Sequence, residues 1–197
     1  MGMQRVGVLA IQGAVDKHLA MLTRSGASAA PVLHPGDLDG LDALIIPGGE
    51  STTMSKGIAR LQLGPAIEEF AASGGAILGT CAGAILLARR CENHPVPTLA
   101  LLDATAHRNA YGTQVDSFAA PADPGGDPAL AGMRCIFIRA PQLSDLGADV
   151  EVLLRVDGLP VLVRQGAIWA STFHPELGDD DRLHRLFLGL PVDPMRD

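Results

Sequence analysis

Residues 76–87 leave a chain of this kind few folds to choose from. A short apolar run from Ala76 enters Gly79-Thr80-Cys81-Ala82-Gly83, and a second apolar run from Ala84 follows without a linker. The first run has the length of a buried strand, and the second begins with good helix formers. A strand that turns this sharply into a helix, with a glycine two residues to either side of Cys81, matches the nucleophile elbow with cysteine in place of serine. Glycine suits both places because strand and helix backbones pass close together there. The turn lifts the sulfur out of the sheet and aims a helix N-terminus at it, which favours the reactive thiolate. The competing reading is a buried cysteine in a glycine-rich turn, and residues elsewhere have to decide between the two.

The alternation of elements around this turn predicts the fold class. Residues 6–11 read as a buried first strand, Gln12-Gly13 as a turn, and Val15, Leu19 and Leu22 as one stripe of a helix stopped by Gly26. Residues 30–33 are a weaker strand. Residues 41–46 are a strong one, running into Pro47-Gly48-Gly49-Glu50-Ser51-Thr52. Ser51 can cap a helix reaching Arg60, and Pro65 can open another with Ile67, Phe70 and Ala71 inward and Gly74 at its end. After the elbow helix, Arg89-Arg90 suits a helix C-terminus. Strands alternating with helices in this way predict a parallel sheet covered on both faces, a three-layer α/β/α sandwich.

Beyond Glu92 strands dominate. Residues 99–103 lead into a loop around Arg108, and strands are expected at 113–118, 134–139, 150–156, 160–164 and 167–173. Asp157-Gly158 and Gln165-Gly166 are hairpin turns, so this half adds an antiparallel portion to a mostly parallel sheet. Residues 121–128 form a Pro-, Gly- and Asp-rich surface loop. Asp179-Asp180-Asp181 precedes a helix with Leu183, Leu186, Phe187 and Leu190 on one stripe. No repeat or linker interrupts residues 1–197, which read as a single domain.

Composition closes off several function classes. With 47% hydrophobic residues the 197-residue chain can bury a substantial core. A net charge of −7 without a Lys/Arg cluster argues against a nucleic-acid partner. Cys81, Cys91 and Cys135 have no CxxC spacing and cannot all pair, so neither a metal site nor a disulfide framework is indicated and a reducing, cytoplasmic setting is expected. The apolar run at 6–11 is too short for a signal-peptide core or a membrane span. Met1-Gly2 lacks the Ser or Thr at position 6 that myristoylation needs.

A cysteine nucleophile needs a base and a group to orient it. Of six histidines, His18 and His184 fall on helices and read as surface residues. His34 and His94 adjoin prolines in loops, and His107 precedes the loop arginine. His174 ends an apolar strand and is followed by Pro175-Glu176. In extended backbone i and i+2 point to one side, so Glu176 can hold the ring while the other nitrogen faces Cys81. Pro175 restricts His174 to extended conformations. The alternative is a strand-ending turn with solvated polar groups. Pro47-Gly48-Gly49-Glu50-Ser51 ends a strand and opens a helix, so its amides face the carboxyl edge of the sheet. It reads either as a phosphate cradle, although no Walker lysine follows, or as half of an oxyanion hole made by Gly49 and Ala82 amides.

Gly79-Thr80-Cys81-Ala82-Gly83 with His174-Pro175-Glu176 resembles the signature of the class I, triad-type glutamine amidotransferases. Further segments are similar to the glutaminase subunits of pyridoxal 5′-phosphate synthases. These are Gly7 to Val15, Pro47 to Thr53, Arg108-Asn109-Ala110-Tyr111-Gly112, Gln114 to Phe118, Phe137-Ile138-Arg139-Ala140-Pro141 and Ser171 to Leu177. They lie in order across nearly the whole chain. Thr113, where a basic residue is common, and the connection 91–98 depart from the family pattern. The resemblance implies a Cys81–His174–Glu176 triad and L-glutamine contacts from Gly49, Glu50, Ser51, Arg108, Ile138 and Arg139. It also implies no cofactor, and a synthase subunit as partner in a large heteromeric complex. Within that fold superfamily, a glutaminase serving another ammonia-using synthase and a cysteine hydrolase are the alternatives, although the hydrolases commonly place histidine where this chain has Ala82. A regulatory subunit without catalysis is a third, against which the intact triad argues.

Overall fold

Four apolar runs, within 5–9, 43–46, 76–80 and 168–171, build the centre of the molecule because each can be buried on both faces only between layers of helices. The computed structural model describes residues 3–108, 117–123 and 126–192. In it β1 (Arg5–Leu9), β2 (Ser28–Val32), β3 (Ala43–Ile46) and β4 (Ala76–Thr80) are parallel and joined through α1 (Val15–Arg24), α2 (Ser51–Arg60) and α3 (Leu63–Ala72). The elbow helix α4 (Ala82–Leu87) leads to β5 (Ala88–Glu92) and β6 (Leu102–His107). A hairpin of β7 (Ser117–Pro121) and β8 (Arg134–Ile138) follows, then β9 (Gln142–Ser144), β10 (Glu151–Val156), β11 (Leu159–Gln165), β12 (Ile168–Ser171) and α5 (Arg182–Phe187).

The central sheet has the order β10-β11-β12-β4-β3-β1-β2. β12 pairs parallel with β4, and β11 lies antiparallel to both β10 and β12, which gives the mixed sheet expected of the C-terminal half. The β10–β11 turn uses Asp157 and Gly158, both at positive φ (51° and 75°), as a two-residue hairpin of this kind requires. Pro31 sits in β2 without penalty because β2 is the edge strand. One face of the sheet packs Leu22, Leu183 and Phe187 of α1 and α5 against Val6, Val8 and Leu78. The other packs Ile58, Ile67 and Leu86 of α2, α3 and α4 against Leu44, Ile46 and Ile77. These are the three layers. Among the described residues no helix is long and apolar enough to cross a membrane.

Several local expectations change. Arg89 and Arg90 lie in β5, not at a helix end; α4 stops at Leu87, and Arg89 Nη1 pairs with Asp103 Oδ1 at 2.8 Å. The segment entering the Arg108 loop is itself strand, β6, pairing parallel with β5 and antiparallel with β9. Ser51 is the first residue of α2 and Glu50 is its cap, accepting from the Thr52 and Thr53 amides. α3 starts before Pro65, from Gln62 in the left-handed region. α5 ends at Phe187, with Leu190 still packed on the core beyond it. The expected strand 113–118 and the loops at 108–112 and 121–128 fall partly outside the described residues.

Candidate active site

β1, β3, β4 and β12 all end on one edge of the sheet, and each delivers a segment there. The exits carry Gln12-Gly13-Ala14, Gly48-Gly49-Glu50, Cys81 and His174 respectively. With Arg108, Ile138 and Arg139 they line a cavity of about 450 Å³. This is the carboxyl edge, where ligands of open parallel sheets bind. A cavity of about 550 Å³ between α2, α3 and the 97–99 segment shares no residue with it, and Glu68 is the one charged residue of its lining.

Cys81 stands at φ 49°, ψ −104°. A non-glycine residue rarely adopts this conformation, at a cost of about 1–3 kcal/mol, and the surroundings hold it there. Its N–H donates to Ser171 O at 2.8 Å, and a Cβ on Gly79 would lie 2.6 Å from the Gly83 carbonyl carbon. A Cβ on Gly83 would collide with Ile46 O. The elbow therefore closes only with glycine at both places. Cys81 Sγ is 3.8 Å from Ile138 O at the end of β8. The Ala82 N–H, in the first turn of α4, has no intrahelical acceptor.

His174 is anchored by its N–H donating to Ile136 O at 2.8 Å. Its Nδ1 lies 2.7 Å from Glu176 Oε1, leaving Nε2 for Cys81, and the Glu176 side chain is fully buried. The two residues meet through a 3-10 turn over Pro175–Leu177, not along a continuing strand. Burial opposes a charge on His174, but hydrogen bonds to Cys81 and Glu176, together with their charges, outweigh it and push its pKa up to about 10. Cys81 and Glu176 thus favour the protonated ring of His174.

At the other end of the cavity Arg108 Nη2 lies 3.3 Å from Glu50 Oε1, and its Nη1 donates to His94 O at 2.8 Å. Glu50 is partly desolvated, yet hydrogen bonds from Thr52 and Thr53 hold its pKa down at about 2. Gln12 Oε1 accepts from the Glu50 N–H at 2.9 Å, and Gly48 O accepts from the Ala14 N–H at 3.0 Å. Gly49, Glu50, Ser51, Ala82, Arg108, Ile138 and Arg139 all line the cavity beside Cys81 and His174, with Glu176 behind the imidazole. Among the described residues no group of three His, Cys, Asp or Glu side chains could hold a metal ion.

The model of the SNO glutamine amidotransferase family matches residues 8–192. The chain belongs to that family. It is 48% identical over 190 residues to the pyridoxal 5′-phosphate synthase subunit PdxT of Deinococcus radiodurans, covering 94% of this chain and 96% of that protein. It is 50% identical over 187 residues to the PdxT subunit of Thermus thermophilus, covering 94% and 96%. A crystal structure of a glutamine amidotransferase superposes with TM-score 0.88 at 46% identity, over 93% of this chain and 97% of that one. PurLQS of Thermotoga maritima shares the fold alone, with TM-score 0.66 at 18% identity over 95% and 99%.

The member's structure also overturns one reading. His18 and His184 are fully buried, not on the surface. His18 Nε2 is 3.1 Å from Thr80 Oγ1 and 3.4 Å from Glu176 Oε2, and His18 Nδ1 is 3.0 Å from His184 Nε2. A signal for His18 was present in the sequence, since it lies three residues after Val15 and four before Leu22, on the apolar stripe.

Proposed function

We propose that this chain is the glutaminase subunit of a pyridoxal 5′-phosphate synthase, working as one glutamine amidotransferase domain. It hydrolyses L-glutamine to L-glutamate and ammonia and hands the ammonia to a synthase subunit in a heteromeric complex. The observation that carries this reading is a strained cysteine at a strand–helix elbow, backed by a buried His174–Glu176 pair, in a chain this close to PdxT subunits. Three unpaired cysteines suit a reducing cytoplasm.

Cys81 Sγ attacks the side-chain amide carbon of glutamine, and the amides of Gly49 and Ala82 receive the oxyanion. The imidazolium of His174 gives its Nε2 proton to the departing nitrogen, which leaves as ammonia from a thioester on Cys81. The now neutral ring takes a proton from water, the hydroxide adds to the thioester carbon, and glutamate leaves as Sγ is released. Glu176 steadies the ring throughout. Glu50 answers the substrate ammonium, and Arg108 or Arg139 its carboxylate; the Arg108 guanidinium keeps donors beyond those used on Glu50 and His94. Ser51 and Ile138 complete the pocket wall. The Gly48-Gly49 peptide is tied to Ala14, so a synthase docked on the 12–14 segment is in a position to turn the Gly49 N–H towards the oxyanion.

The test is glutamate release from L-glutamine by the wild-type chain and Cys81→Ala, each with and without the synthase subunit, alongside labelling by a glutamine-analogue electrophile. Wild type releases glutamate, more with the synthase than without, and Cys81→Ala does not. Label collects on Cys81 and spares Cys91 and Cys135, the latter a buried thiol pushed up to about 12. Equal labelling of all three cysteines, or turnover by Cys81→Ala, overturns the assignment.

A further inference from the structure

Behind His174 the polar groups do not stop at Glu176. The Glu176 carboxylate is buried; Oε1 meets His174 Nδ1, whereas Oε2 has no formed hydrogen bond. What Oε2 faces is His18 Nε2, at 3.4 Å, within ion-pair distance but not aligned as a hydrogen bond. The same nitrogen is 3.1 Å from the hydroxyl of Thr80, the residue before the nucleophile. On its far side His18 Nδ1 meets His184 Nε2 at 3.0 Å. The line His184–His18–Glu176–His174–Cys81 thus joins α5, α1, the turn after β12 and the end of β4, entirely inside the protein until it reaches the cavity.

Proton placement along this line is determined by what each end can accept. A buried carboxylate oxygen needs a donor, and a lone pair aimed at it would repel it. His18 therefore carries its proton on Nε2, which makes Nδ1 an acceptor, and His184 supplies the donor from its own Nε2. The remaining atom, His184 Nδ1, is buried without a partner, and as a bare lone pair it leaves no N–H orphaned. The reverse arrangement would set two lone pairs against each other at Glu176 and strand a buried N–H at His184. Buried unpaired donors are rarer than under-used acceptors. Burial lowers the pKa of both rings, that of His184 to about 4, so both are neutral. A neutral donor matters here: it can orient Glu176 without cancelling the negative charge that His174 needs.

We infer that His18 is a positioning residue for the glutaminase reaction, its Nε2–H aiming the Glu176 carboxylate at His174, with His184 setting the His18 tautomer. The inference rests on the proposed glutaminase chemistry. Catalytic hydrogen bonds are often long in a substrate-free enzyme and tighten as the reaction proceeds, and the 3.4 Å contact has that character. Because Thr80 shares the same N–H, His18 also ties the carboxylate to the strand end that carries Cys81.

Two amide variants isolate the donor. His18→Gln places its side-chain nitrogen near where Nε2 stood, and His18→Asn places it near Nδ1, towards His184. Glutamate release by the full chain with the synthase subunit present, the thermal midpoint, and the downfield proton resonance of the His174–Glu176 hydrogen bond are measured for wild type and both. The inference expects His18→Gln to keep kcat within about threefold, and His18→Asn to lose on the order of ten- to a hundredfold in kcat, the usual scale for an outer partner of an active-site group. KM should hold and the downfield resonance should shift in His18→Asn alone. Equal activity in the two variants, or losses that follow thermal stability with the resonance unmoved, overturns it. Absence of glutamate release from the wild-type chain would instead defeat the glutaminase reading itself, and the resonance still reports on His18.

Discussion

Gly48→Ala adds one methyl group at the most crowded point of the site. A Cβ on Gly48 would lie 2.5 Å from His174 Cε1, 3.0 Å from Nδ1 and 3.4 Å from the Cys81 Cβ. Carbon atoms settle at about 3.5–4.0 Å, so the imidazole has to retreat by roughly 1 Å. Gly48 does not occupy the left-handed region, so alanine meets no backbone penalty there and the effect is confined to the ring. The ring has little freedom: its backbone N–H is bonded to Ile136, Pro175 follows, and Nδ1 is held by Glu176. Retreat therefore loosens either the Glu176 bond or the approach to Cys81. A misplacement near 1 Å costs on the order of 100-fold in rate, or about 2.7 kcal/mol in the barrier, and crowding of this kind costs about 1–3 kcal/mol of stability. Initial rates of glutamate release with the synthase subunit, over a range of glutamine concentrations, and urea unfolding are the assays. Gly36→Ala is the control, since its Cβ would meet nothing within 4 Å. Wild-type kcat in Gly48→Ala, or a loss confined to KM, refutes the reasoning.

The elbow strain should be visible as stability: Cys81→Gly relieves the positive φ that Cys81→Ala retains, so the glycine variant should unfold about 1–2 kcal/mol later than the alanine variant in urea, with both inactive. Equal unfolding midpoints would show that the elbow stores no strain. Acid should weaken the fold through the buried histidine pair. The folded pKa of His184 lies near 4 against 6.5 when exposed, so its stabilising contribution is fully present above 6.5 and is lost as the pH falls towards 4, by about 3 kcal/mol in all. His18, also shifted down by burial, adds to the same slope. The stabilisation from the Glu50 carboxylate, held near 2, is fully present above about 4.5 and is lost only as the pH falls below that. Urea unfolding between pH 7 and 4.5 reads the histidine part, and His184→Leu should flatten it; a flat profile in the wild type contradicts the neutral buried pair.

Features that rest on near neighbours were legible in the chain alone. Two glycines flanking Cys81 declare a close backbone crossing, an apolar run without polar interruption declares a strand covered on both faces, and Asp157-Gly158 declares a tight hairpin. His174 and Glu176 are two residues apart, so almost any compact backbone brings them into reach, and the 3-10 turn that does so was not needed to see them together. Other features depend on distant partners. His18 finds Thr80 and His184 across 62 and 166 residues, and no local pattern states that a helix histidine will face another helix and a strand end. Arg89 enters a strand because Asp103 and β6 lie beside it, overriding the helix preference of the residues before it. Glu50, not Ser51, caps α2 because its longer side chain can accept from two amides while pairing with Arg108. Local sterics are written in neighbouring residues, whereas the pairing of buried polar groups is decided by which elements the sheet topology packs together.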